Sequence, residues 1–386
     1  MLLLYNIMSQ NTRRILVFST NYLPYIGGAE LALKEIMERL SGIQFDVITS
    51  RLDKSLSEKE TFQNINLYRV GSSWFLKNIF LPKNFYPLSA FAKAIGLARK
   101  NKYSAMLALQ ASQGAGAAWL FKFLHPKMPF ILNIQEGKNL GQQGFLINFF
   151  RKLILKKADI ITVISSYLRD YVSKINSKAK LFVIPNGVNL EKFKNLEHKT
   201  NNQDKTIITV SRLVEKNGVE DLIDAFHILN TKYNIQNTRL MIIGDGPLKE
   251  ALKIKILNLK LESKVTLLGS IANEDLPKYL TQADVFARPS LSEGLGTAFL
   301  EAMAAGLPVV GTARGGIVDF LKDKETGLVC EAENPDDLAQ KLSLILSNSN
   351  LYESIVKNAR KLIEEKYDWN IITKQYEEII NSYTRI

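Results

Sequence analysis

The sequence predicts an α/β protein with two doubly wound domains, each built on a parallel sheet. Short apolar segments alternate with amphipathic helical stretches along the whole chain, which is typical of repeated βαβ units. The apolar segments are continuous rather than alternating, which indicates strands covered on both faces. The pattern stops at Pro185-Asn186-Gly187, passes through a polar stretch at 189–205, and then starts again. We interpret that stretch as a linker between an N-terminal domain (1–192) and a C-terminal domain (193–366).

The elements follow from this alternation, in chain order. A first strand at 14–20 precedes a helix at 29–40, and further strands of the first domain are expected at 45–49, 65–70, 104–109, 129–134, 159–164 and 181–184. In the second domain, strands are expected at 206–210, 239–243, 264–268, 284–288, 308–311 and 327–329. Helices are expected there near 219–232, 247–259, 273–282, 297–305 and 335–346, and two more, at 351–365 and 371–382, close the chain. Because ligands of such sheets bind at the carboxyl ends of the strands, we expect the two domains to face each other across a cleft.

Composition and charge narrow the classes of function. The 386 residues are 46% hydrophobic and 23% charged, as in soluble globular proteins, and the single cysteine, Cys330, excludes an internal disulfide. The net charge of +12 is uneven, since residues 1–200 carry +16 and residues 201–386 carry −4. No apolar run of about 18 residues and no convincing targeting segment occurs, so we expect a cytoplasmic protein. The basic half indicates a phosphate-rich ligand, an anionic membrane or nucleic acid.

Two glycine motifs lie where a strand should pass into a helix. Gly27 and Gly28 have no side chain to block a ligand, and the helix start behind them offers free N–H groups to an anion. The same pair could simply form a tight turn. Gly244 and Gly246, with Pro247 as the first helical residue, either form a turn or border a nucleotide.

Two cations follow the first strand of the second domain. Arg212 can bind a phosphate with a planar fork, and Lys216 adds a compact charge. Two such cations often lie in a solvated loop without binding anything, but their position at the carboxyl end of a strand favours a role in ligand binding.

The segment 289–303 carries the strongest functional signal. Glu301 lies in an otherwise apolar helix, where an unpaired buried carboxylate is costly. Ligand hydroxyls would be natural partners for Glu301 and for Glu293, although a glutamate can also cap its own helix. The backbone N–H groups of Gly294, Leu295 and Gly296 form a further candidate cradle for an anion.

These motifs together resemble a known family. The segments GGAE, ADIITVIS, IPNGVNLEKF, RLVEKNG and IIGDGP occur in this order along the chain, followed by the two glutamates in E-x7-E spacing. This set is similar to retaining glycosyltransferases of the GT-B fold, family 4, also called glycosyl transferases group 1. The resemblance runs from about Ile15 to the C-terminus. It implies two Rossmann-like domains, with the donor bound by the C-terminal one, the acceptor by the N-terminal one, and a last helix (367–386) that completes the N-terminal domain.

The resemblance also implies roles for single residues. Glu301 would hold the ribose hydroxyls and Glu293 those of the donor sugar, while Arg212 and Lys216 neutralise the diphosphate. Gly27 and Gly28 would approach the same diphosphate.

Two positions depart from the family pattern. Asn217 stands where the family usually has a lysine, so Lys216 would act from one residue earlier. Gln135 stands where a histidine is frequent, and an amide can hydrogen-bond a hydroxyl but cannot act as a base.

The chemistry of sugar transfer fits the same residues. Cleavage of a sugar–phosphate bond develops negative charge on the leaving diphosphate, where fixed cations and N–H groups stabilise it. Because no D-x-D motif occurs, we expect no metal and no cofactor, only a UDP- or GDP-linked sugar as substrate. Retention would then proceed by attack on the same face, as the resemblance implies.

The basic half of the chain would meet the acceptor, a glycan or a polyprenyl-diphosphate-linked glycan of surface polysaccharide or glycolipid synthesis. The helix at 145–157, with Arg151, Lys152, Lys156 and Lys157, and the basic, aromatic segment 74–102 could also lie on an anionic membrane. An ordinary core-facing helix with a solvated basic face is the other interpretation of 145–157. Nucleic acid is not expected, since no base-reading motif is present. A sugar-nucleotide epimerase and an inactive partner subunit remain alternative functions.

Overall fold

Two parallel sheets, one in each half, organise the chain. The computed structural model describes residues 13–25, 27–71, 86–135, 144–194, 204–235 and 237–384. One unit comprises Met1–Pro185 together with Trp369–Ile386, and the other comprises Asn186–Asp368. We call them the first and the second domain. Of the predicted linker, residues 195–203 lie outside the described residues, and 189–194 belong to the second domain.

The first domain is built on an eight-stranded sheet in the order β3-β4-β2-β1-β5-β6-β7-β8. The strands are β1 Arg13–Phe18, β2 Ile43–Ser50, β3 Lys59–Phe62, β4 Ile65–Val70, β5 Ala105–Leu109, β6 Phe130–Ile134, β7 Ile160–Val163 and β8 Lys180–Val183. All neighbours pair in parallel except β3, which is antiparallel to β4 at the edge. Strand β1 lies between β2 and β5, so the chain order reverses there. A reversal of this kind opens a crevice at the carboxyl ends of the strands.

Helices cover this sheet and supply the other half of its core. They are α1 Gly28–Arg39, α2 Tyr86–Ala98, α3 Gln113–Leu124, α4 Phe145–Lys157 and α5 Ser166–Ser173. The C-terminal helix, Trp369–Tyr383, also belongs to this domain. It buries Trp369, Ile372, Tyr376, Ile379 and Ile380 in the same core as the strands. Their spacing of three or four residues places them on one face of the helix.

The second domain has a six-stranded sheet, wholly parallel, in the order β11-β10-β9-β12-β13-β14. Its strands are β9 Lys205–Val210, β10 Thr238–Ile243, β11 Val265–Gly269, β12 Val285–Arg288, β13 Val309–Thr312 and β14 Leu328–Cys330. Its helices are α6 Val219–Thr231, α7 Lys249–Asn258, α8 Leu276–Leu280, α9 Thr297–Ala304, α10 Pro335–Ser347 and α11 Ser349–Lys366. A short 3₁₀ helix, Leu190–Phe193, precedes β9.

The predicted fold class is confirmed, because each half forms a doubly wound α/β domain. Several details of the prediction were wrong. The domain boundary lies between Pro185 and Asn186 rather than after residue 192, and the chain returns to the first domain at Trp369 rather than at residue 367. The helix predicted at 273–282 is the shorter α8. The edge strand β3 was missed, and α7 begins at Lys249 rather than at Pro247. In the part of the chain that the structure describes, no helix combines the length and the apolarity needed to cross a membrane.

Candidate active site

The loop after β9 carries both predicted cations of the second domain. The side chain of Arg212 is exposed, and among the described residues no side-chain partner engages its guanidinium. The ammonium of Lys216 donates to the carbonyl oxygen of Ser292 at 3.2 Å. Asn217 is buried, and its amide Nδ2 donates to the Arg212 carbonyl oxygen at 2.7 Å. Asn217 therefore shapes the loop, whereas Lys216 is the residue whose charge reaches the segment of Glu293.

The loop after β10 lies directly against this first loop. A Cβ atom at Gly244, where φ is +138°, would lie 1.8 Å from the carbonyl oxygen of Ser211. A Cβ atom at Gly246 would lie 2.4 Å from the carbonyl oxygen of Leu213. Glycine is required here because the two backbones touch and because other residues rarely adopt a positive φ. Gly244 and Gly246 thus position the Arg212 loop, and their contact with a nucleotide stays a prediction.

Glu293 has a partner inside the protein that the sequence did not reveal. The guanidinium of Arg288, at the end of β12, donates to Glu293 Oε1 at 2.8 Å, and the two side chains are only 7% and 13% exposed. Arg288 also donates to the carbonyl oxygen of Val210 at 3.0 Å and lies over the ring of Phe299. The expectation that ligand hydroxyls must satisfy Glu293 was therefore too strong, since Arg288 already binds one of its oxygens.

The glycine loop between Glu293 and α9 offers unused donors. Within the described part of the chain, the backbone N–H groups of Gly294, Leu295 and Gly296 donate to no acceptor. Leu295 turns its side chain into the core, and Gly296 has a φ of +92° just before the first residue of α9. Three free N–H groups at a helix N-terminus form a site suited to an anion.

Glu301 lies in the second turn of α9 and is the most perturbed acid of the site. Desolvation raises the pKa of its carboxyl from 4.5 to about 7, although the positive charges of Lys192 and Arg288 act in the opposite direction. No described residue forms a hydrogen bond with this carboxyl group. A desolvated carboxyl group without a protein partner is suited to a ligand that brings hydroxyl donors.

In the first domain, Gly27 and Gly28 mark the start of α1. Both are exposed, and a Cβ atom at Gly28 would meet nothing within 4 Å. The carboxylate of Glu30 accepts a hydrogen bond from the Gly27 N–H at 2.9 Å. One N–H of this helix start is thus already capped, and an anion bound there would have to displace Glu30 or use the neighbouring groups.

Gln135 follows β6 and is held in a chain of buried amides. Its Nε2 donates to Asn133 Oδ1 at 2.8 Å, and Asn133 Nδ2 donates to the hydroxyl of Tyr376 at 2.7 Å. Burial raises the pKa of that tyrosine to about 12, so the hydroxyl stays protonated. The C-terminal helix therefore helps to position Gln135, the predicted catalytic amide.

At the carboxyl edge of the first sheet, the start of α1 and the end of β6 both lie near the segment 110–113. A polar pocket of about 240 Å³ lies where β1 and β5 end, lined by Glu30, Gln110 and Gln113 among others. Gln110 and Gln113 also line a larger cavity together with Gln135.

The predicted site residues lie at the carboxyl edges of the two sheets, and four further residues that bind or act on them were not predicted. The second domain gathers the Arg212, Gly244 and Glu293–Glu301 segments, and the first domain places Gly27, Gly28 and Gln135 at one sheet edge. Arg288, Lys192, Asn133 and Tyr376 were missed. Arg288 alone had a local signal, a charged residue at the end of a buried strand.

Comparison with known proteins agrees with this geometry. Residues 191–362 match the family described as glycosyl transferases group 1, and residues 26–192 match glycosyltransferase family 4. An uncharacterized glycosyltransferase of Methanocaldococcus jannaschii is 30% identical, over 96% of this chain and 97% of the relative. The chain belongs to the group 1, or family 4, glycosyltransferases.

More distant relatives show the same GT-B glycosyltransferase family and fold. The alpha-monoglucosyldiacylglycerol synthase of Streptococcus pneumoniae is 25% identical, over 95% of this chain and 88% of the synthase. The crystal structure of HepE of Anabaena in complex with UDP-glucose superposes with a TM-score of 0.78 at 19% identity, over 96% of this chain and 99% of that one.

The raised pKa of Glu301 predicts a pH-dependent stability. In this glycosyltransferase the pKa of Glu301 is about 7 in the folded state, above the ordinary 4.5. Glu301 therefore contributes most to the free energy of unfolding below pH 4.5, and this contribution is lost as the pH rises through 7. Glu301→Gln should therefore gain thermal stability relative to wild type between pH 5 and pH 8. Melting curves at both pH values test this, with the exposed Glu262→Gln as control. A constant difference between variant and wild type would contradict the assignment.

Proposed function

We propose that this glycosyltransferase retains the anomeric configuration of its donor, a UDP- or GDP-linked sugar, and transfers the sugar to a glycan or lipid-linked acceptor of cell-surface polysaccharide or glycolipid synthesis. The observation that carries the proposal is the set of free anion donors at the carboxyl edge of the second sheet. Arg212 and the N–H groups of Gly294, Leu295 and Gly296 lack acceptors within the described residues. Lys216 lies beside the same segment.

These donors would bind the diphosphate of the nucleotide sugar. The leaving diphosphate gains negative charge as its bond to the sugar breaks, and preorganised donors stabilise that charge without reorganising. Arg212 and Lys216 supply fixed positive charge at the place where other enzymes use a divalent metal ion, so we propose that the reaction needs no metal.

The two glutamates would hold the neutral parts of the donor. Glu301 is desolvated and lacks a hydrogen-bond partner among the described residues, which supports a role in accepting ribose hydroxyls. Glu293 uses Oε1 for Arg288, which leaves Oε2 for a hydroxyl of the donor sugar.

The transfer step would take place on one face of the sugar. The acceptor oxygen forms a bond to the anomeric carbon while the bond from that carbon to the phosphate oxygen breaks, and its electron pair stays on the diphosphate. The acceptor hydroxyl proton passes to a phosphate oxygen. Gln135, held by Asn133, would hydrogen-bond a hydroxyl during this step without taking its proton.

Binding of nucleoside diphosphates tests the donor site. We expect UDP or GDP to bind the wild type, and Arg212→Gln to weaken binding roughly 10- to 100-fold, because a charge-assisted hydrogen bond contributes about 1.5–3 kcal/mol. Isothermal titration calorimetry in the presence of EDTA measures this. The matched control is Arg239→Gln, an exposed arginine in β10, at the end of the strand remote from Gly244.

Two results would contradict the proposed function. One is equal nucleotide affinity in Arg212→Gln and Arg239→Gln. The other is conversion of the nucleotide sugar, without acceptor, into its epimer, which would indicate an epimerase. NMR of a transfer product would show whether the configuration at the anomeric carbon is kept.

We further propose that helix α4 contacts an anionic membrane surface. Its first turns expose Phe145, Leu146, Ile147, Phe149 and Phe150, and its last turns expose Lys152 and Lys156. Exposed apolar residues beside lysines are typical of helices that lie at the boundary between lipid headgroups and acyl chains. A core-facing helix with a solvated basic face would not expose five large apolar side chains.

Liposome co-sedimentation tests this contact. We expect binding to vesicles that contain anionic lipid, weakened by salt. Lys152→Ala/Lys156→Ala should bind roughly 30-fold more weakly, since each basic residue contributes about 1 kcal/mol near such a surface. The control is Lys174→Ala/Lys178→Ala, two exposed lysines of the same domain outside α4. Binding that is indifferent to lipid charge would refute the proposal.

A further inference from the structure

The second domain contains five arginines, and two of them lack an acidic partner. Arg239, Arg288 and Arg360 each pair with the carboxylate of a described residue. Within the described part of the chain, the guanidinium groups of Arg212 and Arg314 form neither an ion pair nor a hydrogen bond. Arg212 follows β9 and Arg314 follows β13, both at the carboxyl edge of the sheet. The two arginines without a carboxylate are therefore on the edge where the candidate site lies.

The backbone beside Arg314 lies against the loop of Glu293. The N–H of Gly316 donates to the carbonyl oxygen of Glu293 at 3.0 Å. Gly315 has a φ of +58°, and a Cβ atom there would lie 2.0 Å from the same oxygen. Arg314 directly precedes these two glycines and is exposed. Its side chain thus begins one residue away from a backbone contact with the loop of the glutamate that would hold the donor sugar.

The order of the strands separates Arg314 from the cations proposed for the diphosphate. Strand β12 lies between β9 and β13 in the sheet. The loop after β9 carries Arg212 and Lys216, the loop after β12 carries Glu293, and the loop after β13 carries Arg314. Arg314 therefore lies on the other side of the Glu293 loop from Arg212. We expect it to meet a different part of the donor from the part that Arg212 binds.

An arginine without a partner beside a sugar-binding glutamate favours an acidic sugar. Arg288 is paired with Glu293, so its charge is not available to a ligand. A carboxylate on the sugar would need another cation close by, because charges of the same sign repel each other. Arg314 supplies that cation, and a guanidinium can bind a carboxylate through two parallel hydrogen bonds. A neutral hexose would use Glu293 and leave Arg314 in water.

We propose that Arg314 determines donor specificity by binding an acidic group of the donor sugar, so that the donor is a nucleotide-linked uronic acid. The inference rests on the proposed function, whose donor it narrows to sugars that carry a carboxylate. Glu293 would hold hydroxyl groups of the same sugar, while Arg212 and Lys216 would bind the diphosphate. The transfer step is unchanged, since the carboxylate is bound and not transformed.

Affinities for matched nucleotide sugars test this specificity. The probes are UDP-glucuronate with UDP-glucose, UDP-galacturonate with UDP-galactose, and GDP-mannuronate with GDP-mannose, and UDP and GDP are titrated beside them. Isothermal titration calorimetry on the full-length protein measures each affinity. In one pair or more, we expect the wild type to bind the acidic sugar roughly tenfold or more tightly than the neutral one, because hydrogen bonds between charged groups are the stronger ones.

Two variants and a control assign the preference to Arg314. Arg314→Gln should bind the acidic and the neutral sugar equally, with no change in its affinity for UDP or GDP. Arg314→Lys should keep part of the preference, because an ammonium group retains the charge but not the planar fork. The control Arg360→Gln removes the same charge from an exposed arginine of α11 and should keep the full preference. Melting curves identify any variant that fails to fold.

Three results would overturn the inference: equal affinity for both sugars of every pair in the wild type, a preference that persists in folded Arg314→Gln, or a loss of nucleoside diphosphate affinity in that variant as large as its loss of uronate affinity. The last would show that Arg314 binds the diphosphate. If neither UDP nor GDP binds the wild type, the proposed function itself fails. If one of them binds and no acidic sugar is preferred, only the class of donor sugar is wrong.

Discussion

At the carboxyl edge of the second sheet, neighbouring loops lie in direct backbone contact, and the arrangement of the site depends on this closeness. A Cβ atom at Gly244 would collide with the Ser211 carbonyl, and one at Gly315 would lie 2.0 Å from the Glu293 carbonyl oxygen. The first contact fixes the loop of Arg212, and the second fixes the loop of Glu293. Any larger residue at these two positions would separate the cations from the glutamates.

At this edge of the sheet, some charged groups bind each other, and others are available to a ligand. The buried side chains of Arg288 and Glu293 compensate each other's charge, which is necessary because a buried charge without a partner is strongly destabilising. Arg212 and three backbone N–H groups are left for an anion. The second half of the chain carries −4, so the proposed diphosphate would be bound through a few placed donors and not through bulk charge. The basic surplus belongs to the first half of the chain, which contains the exposed apolar and basic residues of α4.

The fold could be predicted because it rests on local patterns. Continuous apolar segments predicted every parallel strand to within two residues at each end, whereas β3 was missed because its four residues alternate in exposure. The motifs of the second domain could be recognised because their glycines and acidic residues occur at characteristic spacings. Contacts between distant residues could not be predicted. Nothing local links Asn133 to Tyr376, 243 residues away, or shows that Arg151 turns inward while its phenylalanine neighbours face out.

Hydrogen–deuterium exchange with and without UDP or GDP can show whether the glycine loop before α9 binds the nucleotide diphosphate, as we propose. The amides of Gly294, Leu295 and Gly296 donate to no described acceptor in the free protein, so they should exchange rapidly. When the nucleotide binds, peptides that span 292–298 should become protected, together with those around Arg212. Binding that protects other segments and leaves 292–298 unchanged would show that the diphosphate binds elsewhere.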